Sequence, residues 1–449
     1  MLFSTDKQTL DDLNIFGKHG GTSVYEIYNR TLTRGGAAEL EQMFRHPLAV
    51  AADINRRSSI IQYFAGTGLQ FPFDAADLEV TTNYLGNRDV RTQLDPEDTS
   101  VARKLGHLLA RDGDTDQVYR GVKAFVSILK NAHRFRQELN LPAGHAYESD
   151  AAVIAEILAA PEWQPVLAHT GTNISHEQAA GWDVLFRFRH SRELQLLLGC
   201  IYRLDVYISV ATVARERGYA FPAGLPPERP GLVIRGLYHP AVKNAVANDV
   251  RISPEGNVVF LTGANMAGKS TFMKSLSIAL LLAHAGMPVA ASQMEFAVLD
   301  GMYTTINLPD NLGMGASHFY AEVMRVKKMA QELAAGKRLF VLFDELFRGT
   351  NVKDAYEATI AIAEGFARKH GSLFVISTHI VEAGPVLKER CSNVHFVYLP
   401  TYMDGNRPVY PYKLENGITN DRHGMIIINN EGILDILRSG LEKMQNKGS

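Results

Sequence analysis

The sequence predicts two domains of different class, an α-helical one followed by an α/β one built around a phosphate loop, and three observations predict it. Apolar residues recur three and four apart along most of the stretch from Thr9 to about Ala220. A proline-rich break, Pro222-Ala-Gly-Leu-Pro-Pro-Glu-Arg-Pro230, follows and reads as a linker. Beyond it short, continuous apolar runs alternate with helical stretches, and Gly263, Gly268, Lys269 and Ser270 fill every fixed position of G-x-x-x-x-G-K-[ST].

The phosphate loop has the context it requires. Asn257 to Thr262 reads as a buried strand, and Ser270 to Ala285 as an apolar helix closed by Gly286 and Pro288. Loop N–H groups and the positive end of that helix converge on one spot, so polyphosphate is the natural ligand. Lys269 would reach the β- and γ-phosphates and the Ser270 hydroxyl would ligate Mg²⁺. The runs Val258–Leu261, Leu339–Phe343 and Leu373–Ser377 suit parallel strands covered on both faces, with helices expected at 321–335 and 355–370.

Two of these strands end in reactive groups. The first closes with Asp344-Glu345, where one acid can hold a metal and the next orient or deprotonate a water. Strands often end in acids, and what gives this pair weight is its place 75 residues after Lys269. The other runs into Ser377-Thr-His379, and a neutral imidazole there can bond a γ-phosphate or an attacking water, although a lone histidine is commonly structural. Asn311 to Glu322 is a glycine-rich loop entering a helix; Ser317 caps that helix or, more specifically, offers an anion site to the nucleotide of a second subunit.

In the helical half, Ala37–Phe44, Ile54–Phe64, 116–139 and 183–215 are the helical stretches, the last with Leu185, Leu194, Leu198, Ile201, Leu204 and Ile208 along one side. Residues 140–181 are richer in Pro, Gly, Ala and His, and short helices are expected there. His133-Arg-Phe-Arg136 and Phe186-Arg-Phe-Arg-His-Ser-Arg192 interleave basic and aromatic residues, which suits nucleic acid but equally a solvated face beside a core stripe.

Composition excludes disordered and fibrous classes, with 46% apolar and 21% charged residues. Lys plus Arg number 46 against 48 Asp plus Glu, so attraction to nucleic acid must come from local patches. Cys200 and Cys391 have no near Cys or His partner in sequence and read as core thiols of a reducing compartment. The N-terminus shows no basic region leading into an apolar stretch, and the longest apolar run, Leu276 to Ala291, is broken by His284, Gly286 and Pro288. A cytoplasmic protein without a membrane segment is expected.

The motifs together resemble the MutS family, the ABC-type ATPases of DNA mismatch repair. The likeness rests on Thr262-Gly-Ala-Asn-Met-Ala-Gly-Lys-Ser-Thr271, Asp344-Glu-Leu-Phe-Arg-Gly-Thr-Asn351, Ser377-Thr-His379 and Gly315-Ala-Ser-His-Phe319. Leu237-Tyr-His-Pro240 looks like the family's entry to the ATPase domain, and Tyr412-Lys-Leu-Glu-Asn-Gly417 like its closing strand region. More loosely, Ser23–Gly36 looks like the start of its helical core and Leu204–Ala211 like its lever helix.

The resemblance implies an α-helical core and lever domain at 1–225, a P-loop ATPase domain of ABC type at 231–435 and a tail at 436–449. It implies ATP and Mg²⁺, with Gly263, Ala264, Asn265, Met266, Ala267, Gly268, Lys269, Ser270 and Thr271 around the phosphates and Asn248 near the base. Ser270 and Asp344 are the implied metal residues, Glu345 the base, His379 the γ-phosphate sensor, and Ser317 the group acting in the partner's site. A homodimer opening and closing on DNA is the implied activity, and the alternative is an ATP-driven scaffold that recruits proteins with little DNA binding.

The departures are equally specific. No stretch matches the family's mismatch-reading and connector domains, and about 50 residues stand where a larger DNA clamp is usual, so a reduced or absent clamp is expected. Ala245-Val-Ala-Asn-Asp249 offers no aromatic where the family places one against adenine, so weak discrimination between ATP and GTP is expected.

Overall fold

The computed structural model describes residues 3–17, 22–94, 113–171, 173–264, 266–306, 318–347, 349–405, 407–419, 432, 433, 436 and 437. Two compact units emerge, one made of Met1–Ile27, His46–Asn55 and Arg217–Ser449, the other of Tyr28–Arg45 and Arg56–Glu216. The division departs from the boundaries read at 225 and 231, because helix α1 (Lys7–Asp12) and residues 46–55 group with the C-terminal half.

The second unit is helical, as the periodicity predicts. Helix α2 (Ala75–Gly86), capped by Asp74, packs along α3 (Gly113–Glu138). Between 140 and 181 the helices are short, the longest being Glu148–Leu158. Helix α4 (His176–Asp183) opens with a capping box formed by Ser175 and Gln178.

The predicted single helix over 183–215 is instead a π-helical turn, Val184–Arg189, followed by α5 (Ser191–Arg217). The cause is Arg187, which is 1% exposed. Its guanidinium donates twice to Asp183 at 2.6 Å, to the Asn87 carbonyl at 3.2 Å and to the Thr92 hydroxyl and carbonyl at 2.8 and 3.1 Å. A widened turn aims it inward, where an unpaired cation would be very costly.

The same burial settles the basic patches. Phe186 and Arg187 are core, and in the 133–136 patch Phe135 is core too, while Phe188 is half-buried and Arg189 and Arg192 are exposed. Helix α5 has the length and apolar content of a membrane span, yet Leu194, Leu198, Ile201, Leu204 and Ile208 are buried in the protein.

The first unit holds two sheets. The smaller has the order β1 (Ala223–Leu225), β5 (Gln293–Ala297), β2 (Leu232–Leu237), β3 (Asn248–Ile252). Strand β1 occupies part of the expected linker: Asn55 exchanges two 2.8 Å hydrogen bonds with the Gly224 backbone and so satisfies an edge that prolines leave poor in donors.

The larger sheet runs β12 (Glu415–Asn416), β9 (Val394–Leu399), β4 (Val258–Gly263), β8 (Leu373–Ser377), β7 (Leu339–Asp344), β6 (Gly301–Thr305), and β10 (Tyr402–Asp404) pairs with β11 (Arg407–Val409) apart from it. All neighbours are parallel except β12 with β9. Helices α6 (Lys269–His284), α7 (His318–Ala334), α8 (Val352–Ala367) and α9 (Ala383–Arg390) complete the unit.

Continuous burial of β4 and β8 follows from their place between other strands and beneath helices. Val341, Phe343, Phe374 and Ile376 pack on Met329 of α7 and on Ile360, Ala363 and Phe366 of α8, with the Phe366 and Phe374 rings stacked at 4.4 Å. At the far edge, Ser4 pairs with Gly301, so the N-terminal segment covers β6.

Candidate functional site

Ligands in a parallel α/β sheet bind beyond the carboxyl ends of the strands, and three adjacent strands here deliver chemistry to that edge. Strand β4 runs into the phosphate loop, β7 ends at Asp344, and His379 follows β8, which lies between them. Two glycines are obligatory in the loop. At Gly263 φ is 145° and a Cβ would stand 2.9 Å from the Leu399 carbonyl oxygen; at Gly268 φ is 98° and a Cβ would stand 3.0 Å from the Tyr412 ring. Met266, with φ 71°, takes the left-handed conformation without being glycine and is 75% exposed.

The side chains interlock. Lys269, 6% exposed, donates from Nζ to the carbonyls of Gly263 at 2.7 Å and Ala264 at 3.1 Å. Burial lowers its pKa, against the pull of Asp344 and Glu345. The Ser270 hydroxyl donates to Asp344 Oδ2 at 2.7 Å, which brings together the two residues read as a metal pair. Glu345 has φ 58°, held there by its N–H donating to the Ser377 carbonyl at 2.9 Å, and its Oε1 lies 2.8 Å from His379 Nε2. A non-glycine residue in this region carries on the order of 1 kcal/mol of strain, and the turn aims the carboxylate at the loop rather than along the strand.

The loop and both acids open on a cavity of about 600 Å³, lined by Ala264, Met266–Thr271, Asp344 and Glu345 and, from other elements, by Tyr238, His239, Asn248 and Tyr412, whose ring packs beside Gly268. Asn248 lines the cavity as expected, but its amide is committed elsewhere: Nδ2 donates to the Tyr412 carbonyl at 2.9 Å and Oδ1 accepts from the Leu414 N–H at 2.8 Å. It fixes the segment that carries Tyr412.

Tyr412 is the residue the sequence reading left without a role. An aromatic absent at Ala245 is supplied 167 positions later, after Pro411. His239 was quoted without a role too. Burial and the neighbouring Lys274 push it down to about 4, so it is neutral near pH 7, and Nδ1 accepts the Ala241 N–H. Asn265 and Ser317, with Arg348, lie outside the described residues.

The residues fit a Mg²⁺–nucleotide: a hydroxyl and a carboxylate side by side, a cation and a glycine loop beneath, and an aromatic in the same lining. The fold and site thus define a phosphate-loop nucleotide-binding domain of α/β class. Residues 259–445 match the family model described as MutS domain V, the ATPase-type domain of the MutS family.

Proposed function

We propose that the protein is a Mg²⁺-dependent ATP hydrolase whose subunits pair across two shared nucleotide sites and whose ATP cycle opens and closes the pair on DNA. The observation that supports it most is the convergence of Lys269, the Ser270–Asp344 pair and Glu345 on a single cavity, with His379 bonded to Glu345 behind it. Lys269 exchanges the loop carbonyls for β- and γ-phosphate oxygens. Ser270 and Asp344 hold the metal, which when bound neutralises charge on the phosphates. Glu345 takes the proton of the attacking water, and His379, bonded to it, keeps that carboxylate oriented and senses the γ-phosphate. Tyr412 stacks on the base, and Ser317 completes the partner's site.

Support for DNA comes from α3, which between Asp116 and Glu138 carries Arg120, Lys123, Lys130, Arg134 and Arg136 and no acid. Spaced seven and four residues apart, Lys123, Lys130 and Arg134 share one face, a row suited to phosphates. Against it stands the burial of Phe135, Phe186 and Arg187, which favours the second reading, an ATP-driven scaffold for protein partners. The test is ATP turnover at low salt without DNA and with single-stranded, duplex, mismatched and four-way-junction DNA. A several-fold change with one form, removed by salt, is expected; turnover indifferent to every DNA establishes the scaffold instead.

A further inference from the structure

Asn248 lines the nucleotide cavity, yet its amide is committed to the chain. Nδ2 donates to the Val246 carbonyl at 3.3 Å and to the Tyr412 carbonyl at 2.9 Å, and Oδ1 accepts the Leu414 N–H at 2.8 Å. Both amide hydrogens are thus engaged, on a side chain that is 7% exposed. Only this orientation of the amide satisfies its neighbours, since the flipped one would set oxygen against the Tyr412 carbonyl and nitrogen against the Leu414 N–H. A third bond crosses the same gap in the other direction, from Lys413 Nζ to the Ala247 carbonyl.

These bonds bracket a strained residue. Tyr412 has φ 57°, a left-handed conformation that a bulky side chain avoids, and it follows Pro411, which has no N–H to anchor the turn. The chain just beyond is held separately. The Tyr398 and Tyr402 hydroxyls donate to the two oxygens of Glu415 at 2.6 and 2.9 Å, and the Gly417 N–H donates to the Phe396 carbonyl at 2.9 Å. Loss of the Asn248 bonds therefore leaves β12 anchored and frees the turn that carries the tyrosine. Relaxation of Tyr412 to negative φ would re-aim its Cα–Cβ bond and swing the ring off Gly268, beside which it packs.

We propose that Asn248 is a positioning residue for the nucleoside half of the ligand: with Lys413 it holds Tyr412 in its left-handed turn, and so sets affinity for an aromatic base without touching it. The inference rests on the reading given above in which Tyr412 stacks on the base. It assigns Asn248 a role that nucleotides feel and a bare polyphosphate does not.

The test is equilibrium titration of the full-length protein, in Mg²⁺, with ATP and with inorganic triphosphate. Asn248→Ala should weaken ATP by about fivefold and triphosphate by less than about twofold, the loss being that of a disordered aromatic stack. Added to Tyr412→Ala, the same substitution should weaken ATP by less than about twofold more, because no ring is left to position. A merely structural role would weaken both ligands and would do so in either background. Equal losses for the two ligands, full additivity in the double variant, or unchanged ATP binding in Asn248→Ala overturns the proposal.

Lys413→Ala, at an exposed side chain, decides the matter if Asn248→Ala does not fold. It should weaken ATP by about threefold, the value of one hydrogen bond, and leave triphosphate unchanged; unchanged ATP binding there overturns the proposal. Tyr412→Ala separates the two levels. If it binds ATP as tightly as wild type, the stacking reading falls; if it loses about tenfold while the Asn248 and Lys413 variants lose nothing, only the positioning role falls.

Discussion

The two ends of the nucleotide cavity are built on different principles. At the phosphate end Gly263–Thr271 are contiguous, and the other contributors, Asp344, Glu345 and His379, each sit where a strand stops. The residues assigned to the base come from separate elements: Tyr238 and His239 follow β2, Asn248 opens β3, and Tyr412 arrives just before β12. Phosphate is recognised largely by backbone N–H groups and a helix end, which a short motif encodes. A base needs a flat apolar partner from any element that passes, which only the tertiary fold supplies.

Substitutions can break this contrast at either end, and the largest effects belong to the phosphate end. Glu345→Gln removes the base while leaving the loop whole; turnover should fall about 10²-fold or more with ATP affinity nearly unchanged, as single-turnover and equilibrium binding assays would report. Lys269→Ala should weaken ATP binding by about 100-fold, roughly 3 kcal/mol, because the phosphate loses a buried cation. A loss below fivefold in titration would mean that the loop N–H groups suffice.

Effects at the base end should be smaller and selective. Tyr412→Ala should weaken ATP by about tenfold, the value of one aromatic stack, while Tyr412→Phe stays near wild type. Inorganic triphosphate, which has no base, should bind both variants alike, and a loss with triphosphate as well would place Tyr412 at the phosphates.

The legibility of the sequence follows the same division. The parallel strands, the helices that follow them and the phosphate end could be read because each is a local pattern of burial or a fixed spacing. Tyr412 could not, since nothing local distinguishes it from Tyr410; only the Asn248 amide, bonded on both sides of Lys413, shows that the segment is held against the loop. Asn248, expected near the base, lines the cavity, and its amide bonds the backbone of the segment that carries Tyr412. The unit boundary escaped for a related reason: Asp12 and Thr9 have ordinary helical spacing, and their partners on β6 lie almost 300 residues away. The π turn at 184–189 escaped because the inward Arg187 breaks the expectation that a charged residue on a helix faces water.

A separate effect, on stability, concerns the scaffold beneath the cavity. His284 on α6 is fully buried between Phe3 and Phe296, donates from Nδ1 to the Leu48 carbonyl at 2.8 Å, and is pushed down to about 4 by burial. Its folded pKa lies below its unfolded one, so it stabilises fully above pH 6.5 and progressively less as pH falls toward 4. The Asp6 carboxylate, also depressed in the fold, adds a loss between about pH 4 and 2. Urea midpoints measured from pH 7.5 to 4.5 should therefore decline, and His284→Gln, if folded, should flatten that decline by up to about 3 kcal/mol. An unchanged slope would mean that other histidines carry it.

The measurement closest to the central claim is sedimentation of Glu345→Gln at micromolar concentration with and without ATP and Mg²⁺. A nucleotide site completed by a second subunit and stalled before hydrolysis predicts a stable dimer in ATP that is absent in ADP and absent in the double variant with Ser317→Ala. A Glu345→Gln protein that binds ATP and stays monomeric would contradict the shared site, and would leave a self-contained ATPase in its place.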